Sequence, residues 1–214
     1  MPKLTLFIFC ILTAGRAYSD YLRTDCIGKS NADKAIVYLH GWDDPKLGQH
    51  EKKNRELWKM LAKKYRLIVA LPRGDGRCSQ GRRQCWRLRT KSDVVASFAR
   101  LDAGAKECFG KRDYGVVGFS NGGYLVSGIY HYCLAPKASF LLAIGSAGLS
   151  HNRGVPRAEC GPLVLQIGNS DITYKKAISY YRRLKAQGAD SEFETFTGGH
   201  ILHAPALMSV VNRF

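Results

Sequence analysis

Tyr114-Gly115-Val116-Val117-Gly118-Phe119-Ser120-Asn121-Gly122-Gly123-Tyr124 is a short apolar run that ends in a G-x-S-x-G pattern and passes into a stretch of helical character. Strand, sharp turn bearing a serine, helix is the order that a nucleophile elbow requires. A Cβ at Gly118 or Gly122 would crowd the strand against the helix at a turn whose serine backbone is already strained. Such a turn lifts the Ser120 hydroxyl out of the sheet and aims the first N–H groups of the helix at the same point. Five residues with three fixed positions recur by chance, so the reading depends on their surroundings.

Three further stretches supply them. Ile36-Val37-Tyr38-Leu39-His40-Gly41-Trp42 is an apolar strand ending in His-Gly. The loop after it is placed to offer one oxyanion N–H, from Trp42, and the residue after the serine, Asn121, offers the other. Leu163-Val164-Leu165-Gln166-Ile167-Gly168 is a second buried-strand pattern, followed by Asn169-Ser170-Asp171. An aspartate just past a strand end fixes the tautomer of a histidine on the neighbouring loop, and Asp171 also suits a cap for the helical stretch 174–187. Glu159 and Asp190 are less well placed, the one far past its strand and the other just before one. Ser191-Glu192-Phe193-Glu194-Thr195-Phe196 alternates as a strand and leads through Thr197-Gly198-Gly199 to His200. His200 is the general base this pattern selects; His203, three residues on, is the alternative.

The order Ser120, Asp171, His200 is the one that the α/β-hydrolase fold imposes. From residue 34 to the C-terminus the sequence resembles a small secreted α/β-hydrolase, of the dienelactone-hydrolase-like or polyhydroxybutyrate-depolymerase-like esterase type. The resemblance rests on Leu39-His40-Gly41-Trp42, Gly118-Phe119-Ser120-Asn121-Gly122-Gly123, Gly168-Asn169-Ser170-Asp171 and Gly199-His200. Dienelactone hydrolases use cysteine as nucleophile, and here the position is Ser120. The Ser-Asn-Gly-Gly-Tyr stretch is also similar to prolyl-oligopeptidase-type peptidases, which carry a large extra domain that has no counterpart here. The resemblance implies an ester substrate, a Ser120–His200–Asp171 triad, and neither metal nor organic cofactor.

Composition narrows the setting. Residues 1–19 read as a secretory signal: Lys3, an apolar stretch over 4–12, and Ala17-Tyr18-Ser19 before Asp20. The apolar stretch is too short to span a bilayer. The mature domain is then 20–214, secreted or periplasmic. Seven cysteines become six without Cys10, an even number that points to disulfides. Six cysteines allow fifteen pairings; Cys78–Cys85, Cys108–Cys133 and Cys26–Cys160 are one candidate set, and the sequence leaves the connectivity open. Neither C-x-x-C nor H-E-x-x-H occurs, so no metal site is expected.

There are 33 Lys and Arg against 17 Asp and Glu, a net charge of +16, or +14 without Lys3 and Arg16. Much of the excess is local: Arg73, Arg77, Arg82, Arg83, Arg87, Arg89 and Lys91, against Asp75 and Asp93. This stretch follows a strand at 66–71 and emerges at the carboxyl edge of a parallel sheet, where such folds bind ligands. Arg73 and Arg77 are candidate substrate contacts, for arginine suits carboxylate and phosphate, and Trp86 and Tyr124 are candidate walls. The charge equally suits a solvated loop, and makes non-specific polyanion binding expected without implying a specific nucleic-acid partner.

Strand patterns at 35–40, 66–71, 114–119, 138–144, 163–168 and 191–196 alternate with helical patterns at 49–64, 91–104, 120–132, 174–187 and 203–212. The expected fold is a single α/β domain with a mostly parallel sheet of about six strands. Residues 20–33 form a further strand or only a lead-in. Residues 145–161 leave little room for a lid, which favours soluble, bulky or polymeric esters over a buried acyl tunnel. The sequence leaves three alternatives to an esterase: a peptidase, an acyltransferase, or a non-catalytic basic module that binds polyanions. It leaves the ester and the oligomeric state open.

Overall fold

A computed structural model describes residues 24–214 apart from 45, 75, 153–155 and 157–159. The expected signal segment, 1–19, lies outside the described residues. The elements in chain order are β1 (Asp25–Gly28), β2 (Lys34–Leu39), α1 (Gln49–Tyr65), β3 (Leu67–Leu71), β4 (Gly76–Cys78), β5 (Arg83–Cys85), α2 (Lys91–Phe109), β6 (Gly115–Phe119), α3 (Asn121–Tyr132), β7 (Leu141–Ile144), β8 (Leu163–Gly168), α4 (Tyr174–Ala186), β9 (Ser191–Phe196) and α5 (Ala204–Val211). Seven strands make one sheet in the order β1-β3-β2-β6-β7-β8-β9. All pairs are parallel except the edge pair β1–β3.

Helices cover both faces, which is why the inner strands read as continuous apolar runs. The side-chain period of two sorts each strand between two cores. Val37 and Leu39 pack in one layer with Leu101 of α2, Ile129 of α3 and Leu184 of α4. Ile36 and Tyr38 pack in the other with Trp58 and Leu61 of α1 and Leu207 and Val211 of α5. Local chemistry fixes the helix ends. Thr90 and Asp93 form a reciprocal capping box at the start of α2, worth about 1 kcal/mol. Arg66 closes α1 in the left-handed conformation, φ 54°.

One open alternative is settled and one helix boundary moves. The sheet has a seventh strand, because β1 pairs along β3 from Asp25↔Leu71 to Gly28↔Ile68. Helix α2 runs to Phe109 instead of 104. Gly104, which reads as a helix stop, is an interior position where a Cβ would strike the Thr24 side chain. Its role is to let the N-terminal segment lie against the helix. The added turn carries Cys108, and β1 carries Cys26.

That extension also changes the disulfides. Cys78–Cys85 forms as expected, but the other pairs are Cys26–Cys108, with Cα atoms 5.6 Å apart, and Cys133–Cys160, at 5.1 Å. Cys108–Cys133 and Cys26–Cys160 are therefore corrected. Edge pairing of β1 carries Cys26 to the end of α2, and the αL turn that ends α3 at Cys133 meets the approach to β8 at Cys160. Non-reducing peptide mapping should recover linked 26–108 and 133–160 peptides. A 108–133 link would contradict the path of β1. The Cys26→Ser, Cys108→Ser protein should lose roughly 2–5 kcal/mol of stability in urea unfolding.

Candidate active site

Strand β2 has β3 on one side and β6 on the other, so the order of progress across the sheet reverses there. Such a reversal opens a crevice at the carboxyl ends of the strands. Gly41 leaves β2 at this edge, Ser120 leaves β6, Asp171 leaves β8 and His200 leaves β9.

Ser120 sits between β6 and α3 with φ 53° and ψ −114°, a conformation costing on the order of 1–3 kcal/mol for a residue with a Cβ. Its neighbours over-determine it. Its N–H donates to Ile144 O at 2.8 Å, and its carbonyl accepts the Tyr124 N–H at 3.0 Å, opening α3. A Cβ on Gly118 would strike the Gly122 carbonyl, and one on Gly122 would strike Leu39 O. A serine heading a helix ordinarily caps it; the Ser120 side chain makes no such bond. The turn holds the hydroxyl away from the helix it heads.

Asp171 and His200 meet directly, Oδ2 to Nδ1 at 2.8 Å. The Asp171 side chain is only 1% exposed. Its other oxygen accepts the Thr173 N–H at 2.7 Å and the Thr173 hydroxyl at 2.8 Å. The helix cap is Thr173, so one carboxylate shapes the turn into α4 and holds the imidazole. The His200 ring packs 4.9 Å from that of Phe119, the residue before Ser120. His203 is used differently: it caps α5, accepting the Ala206 N–H, and stacks on Phe196 at 4.8 Å.

Of the expected oxyanion residues, Asn121 is the first residue of α3, and its N–H is among those a helix leaves unpaired. Trp42 follows Gly41, whose hypothetical Cβ would lie 3.1 Å from Ser120 Cβ, and its side chain is 61% exposed. Exposed Ile172 and Ile201 likewise adjoin Asp171 and His200. Three of the six large apolar residues exposed among the described residues are thus chain neighbours of Gly41, Asp171 and His200.

The candidate substrate contacts divide. Tyr124 is partly buried, its phenol pushed above its ordinary pKa by burial and then by the negative charge of Asp171. Arg77 is exposed on β4. Arg73 instead reaches back to buried Asp43 at 3.3 Å and to Asp44 O at 3.1 Å. Trp86 is 1% exposed, with its indole N–H donating to His40 O at 3.0 Å. It is scaffold, not wall.

The scaffold it belongs to was not legible in sequence. Strands β4 and β5 form a hairpin tied by Cys78–Cys85. Gln84 and Asp43 exchange backbone hydrogen bonds at 3.0 and 2.7 Å, and the Trp86 N–H donates to Asn121 Oδ1 at 2.7 Å. The hairpin therefore grips both segments that carry the oxyanion candidates. His40 completes the brace, buried beneath it with Nε2 accepting the Gly74 N–H at 2.9 Å and Nδ1–H donating to Gly41 O at 2.5 Å. Gly145 was also missed: it has φ +61°, and a Cβ there would sit 3.1 Å from the His200 ring. Its only sequence signal is a glycine ending the β7 run.

No protein-family model matches the chain, and no curated relative does. Solved structures do. Acyl-protein thioesterase 2 of Zea mays is 21% identical, with 90% of this chain and 97% of that one covered, at TM-score 0.66. The Bacillus cereus carboxylesterase is 14% identical over 94% and 96%, also at 0.66, and esterase PE8 is 17% identical over 90% and 97%, at 0.61. The fold is that of the α/β-hydrolases.

Burial holds His40 neutral, bringing its pKa from 6.5 down to about 4, against a smaller upward pull from the Gly41 carbonyl. Its unfolded counterpart takes up a proton first as pH falls. The stability it confers is thus complete above pH 6.5 and is lost towards pH 4, on the order of 3 kcal/mol across that window. NMR titration should find the His40 ring unprotonated at pH 5.5. A midpoint near 6.5 would refute the buried, doubly bonded imidazole.

Proposed function

We propose that the protein is an exported serine hydrolase of carboxylic esters. The observation that carries this reading is a serine held in a strained, non-capping turn, with the ring of the residue before it packed on a histidine whose Nδ1 is bound to a buried aspartate. In this reading Ser120 Oγ attacks the ester carbonyl carbon while His200 Nε2 takes its proton. The tetrahedral oxyanion accepts hydrogen bonds from the Trp42 and Asn121 N–H groups. His200 returns the proton to the departing alcohol, leaving an acyl-Ser120. Water, activated by the same imidazole, then releases the acid. Asp171 keeps the His200 proton on Nδ1 and stabilises the imidazolium. The site residues need no cofactor for these steps.

Structural neighbours described as esterases and thioesterases support acyl transfer to water as the chemistry. Exposed Trp42, Ile172 and Ile201 favour a substrate with an apolar portion. Three disulfides favour an oxidising compartment, outside the cell or in a periplasm. No described helix is long and apolar enough to cross a membrane.

A fluorophosphonate probe should label the wild-type protein and leave Ser120→Ala unlabelled. Loss of Ser120 should cut ester turnover on the order of a million-fold. Asp171→Asn, which keeps the shape but favours the wrong tautomer, should cost about 10⁴ in kcat. An unlabelled, folded wild type would end the hydrolase reading. Labelling retained in His200→Ala but lost in His203→Ala would move the base.

A further inference from the structure

The two donors proposed for the oxyanion stand on different segments, and one buried residue bonds to the supports of both. The Trp86 backbone N–H donates to Asn121 Oδ1 at 2.7 Å, and its indole N–H donates to His40 O at 3.0 Å. Asn121 opens α3, and His40 follows β2. We propose that Trp86 is a positioning residue that sets the separation and aim of the two oxyanion donors, the backbone N–H groups of Asn121 and Trp42. The proposal rests on the hydrolase reading and names what holds that same site in register.

On the α3 side the tie is direct. An asparagine at a helix start ordinarily turns its carboxamide onto the local backbone. Here the carboxamide oxygen binds a segment 35 residues away. Asn121 carries its donor and its anchored side chain on one Cα, so fixing the carboxamide also restrains the backbone that leaves the elbow.

On the β2 side the tie passes through His40. The Trp86 ring is buried and lies 5.3 Å from the His40 ring. The imidazole is bound at both nitrogens, Nε2 accepting the Gly74 N–H and Nδ1–H donating to Gly41 O. Gly41 O and the Trp42 N–H belong to one peptide unit, and the described chain has no cis peptide. In a trans peptide the two point in opposite directions, so holding the carbonyl on His40 aims the Trp42 N–H away from that ring. The Gly41 backbone also lies against the nucleophile, for a Cβ there would sit 3.1 Å from Ser120 Cβ. Among the described residues, neither the Trp42 N–H nor the Asn121 N–H has a hydrogen-bond partner. The hairpin keeps Trp86 in place, closed by Cys78–Cys85 and docked by the Asp43–Gln84 bridge. Donors fixed before the reaction cost no reorganisation when the oxyanion forms, and a support that lets either drift weakens the transition state more than the bound ester.

Two variants of the purified protein test this. Asn121→Leu removes the acceptor but keeps the bulk and the backbone N–H, and Trp86→Phe removes the indole N–H but keeps a buried ring. Each is measured in steady-state hydrolysis of 4-nitrophenyl butyrate and in inhibition by 1,1,1-trifluoropentan-2-one. Ser120 Oγ adds to the ketone carbon, the carbonyl π pair becomes an oxyanion in the same hole, and the Ser120 proton passes to His200 Nε2. Each variant should lose about 10–100-fold in kcat/KM, through kcat, with KM within about threefold. The inhibition constant of the ketone should rise by a matching factor. Tyr114→Phe is the control. It loses a half-buried hydrogen bond, 2.9 Å to Asp102, just before β6 at the opposite end of the sheet. It should keep both quantities within about twofold.

A merely structural role would lower the number of active molecules, and so kcat, without moving the inhibition constant. An unchanged inhibition constant in Asn121→Leu, or an equal rise in Tyr114→Phe, therefore overturns the proposal. Should Trp86→Phe not fold, Asn121→Leu decides alone. A wild type that neither turns over the ester nor binds the ketone ends the hydrolase reading and this role with it. An active wild type whose Asn121→Leu variant keeps the inhibitor's affinity ends this role only.

Discussion

The close approach of β2, β6 and α3 is the constraint on which the site depends. Strands β2 and β6 pair in parallel from Ile36↔Gly115 to Leu39↔Gly118, and α3 must leave the end of β6 without moving away from either. The backbone of Gly122 lies against Leu39 O, and Gly118 lies under the Gly122 carbonyl. No side chain fits in either gap. The contact forces Ser120 into its positive-φ turn, and the turn in turn denies the hydroxyl its capping bond. A strain of a few kcal/mol is sustainable because it sits in the middle of a seven-stranded sheet covered on both faces.

Around this seam the molecule separates support from chemistry. His40 shows the distinction well. It ends β2 beside the site, yet both of its ring nitrogens are bound to backbone, and burial keeps it neutral. A histidine spent in this way is a brace. His200 has one nitrogen on Asp171, and its ring lies against Phe119. Arg73 is likewise a brace, steadying the Trp42 loop through Asp43.

The apolar runs and glycine punctuation of the sequence marked β2, β3, β6, β8, β9 and four of the five described helices to within a residue or so, because each has a strong period and a clear stop; α2 runs five residues past its expected end. The places where that reading stopped short share one cause. Gly104 looks like a breaker until Thr24 is seen against it. The strand expected from 138 begins at Leu141, because Ala138 N–H first turns back to Ala135 O. β1 has no distinctive pattern, and an edge strand needs none, since its partner β3 supplies the register. Disulfide pairing follows the path of β1 and so lay beyond the same horizon.

The sequence by itself determined the α/β alternation, the elbow around Ser120, and the chain order of Ser120, Asp171 and His200, since these rest on local periodicity and on glycines that no other residue replaces. Only the tertiary structure decided that His200 and not His203 meets Asp171, that Trp86 is buried under the hairpin, and that Cys26 joins Cys108. Each of these turns on contacts between segments far apart in the chain. Local propensity carries no information about such distances; the packing of the two helical layers on the twisted sheet sets them.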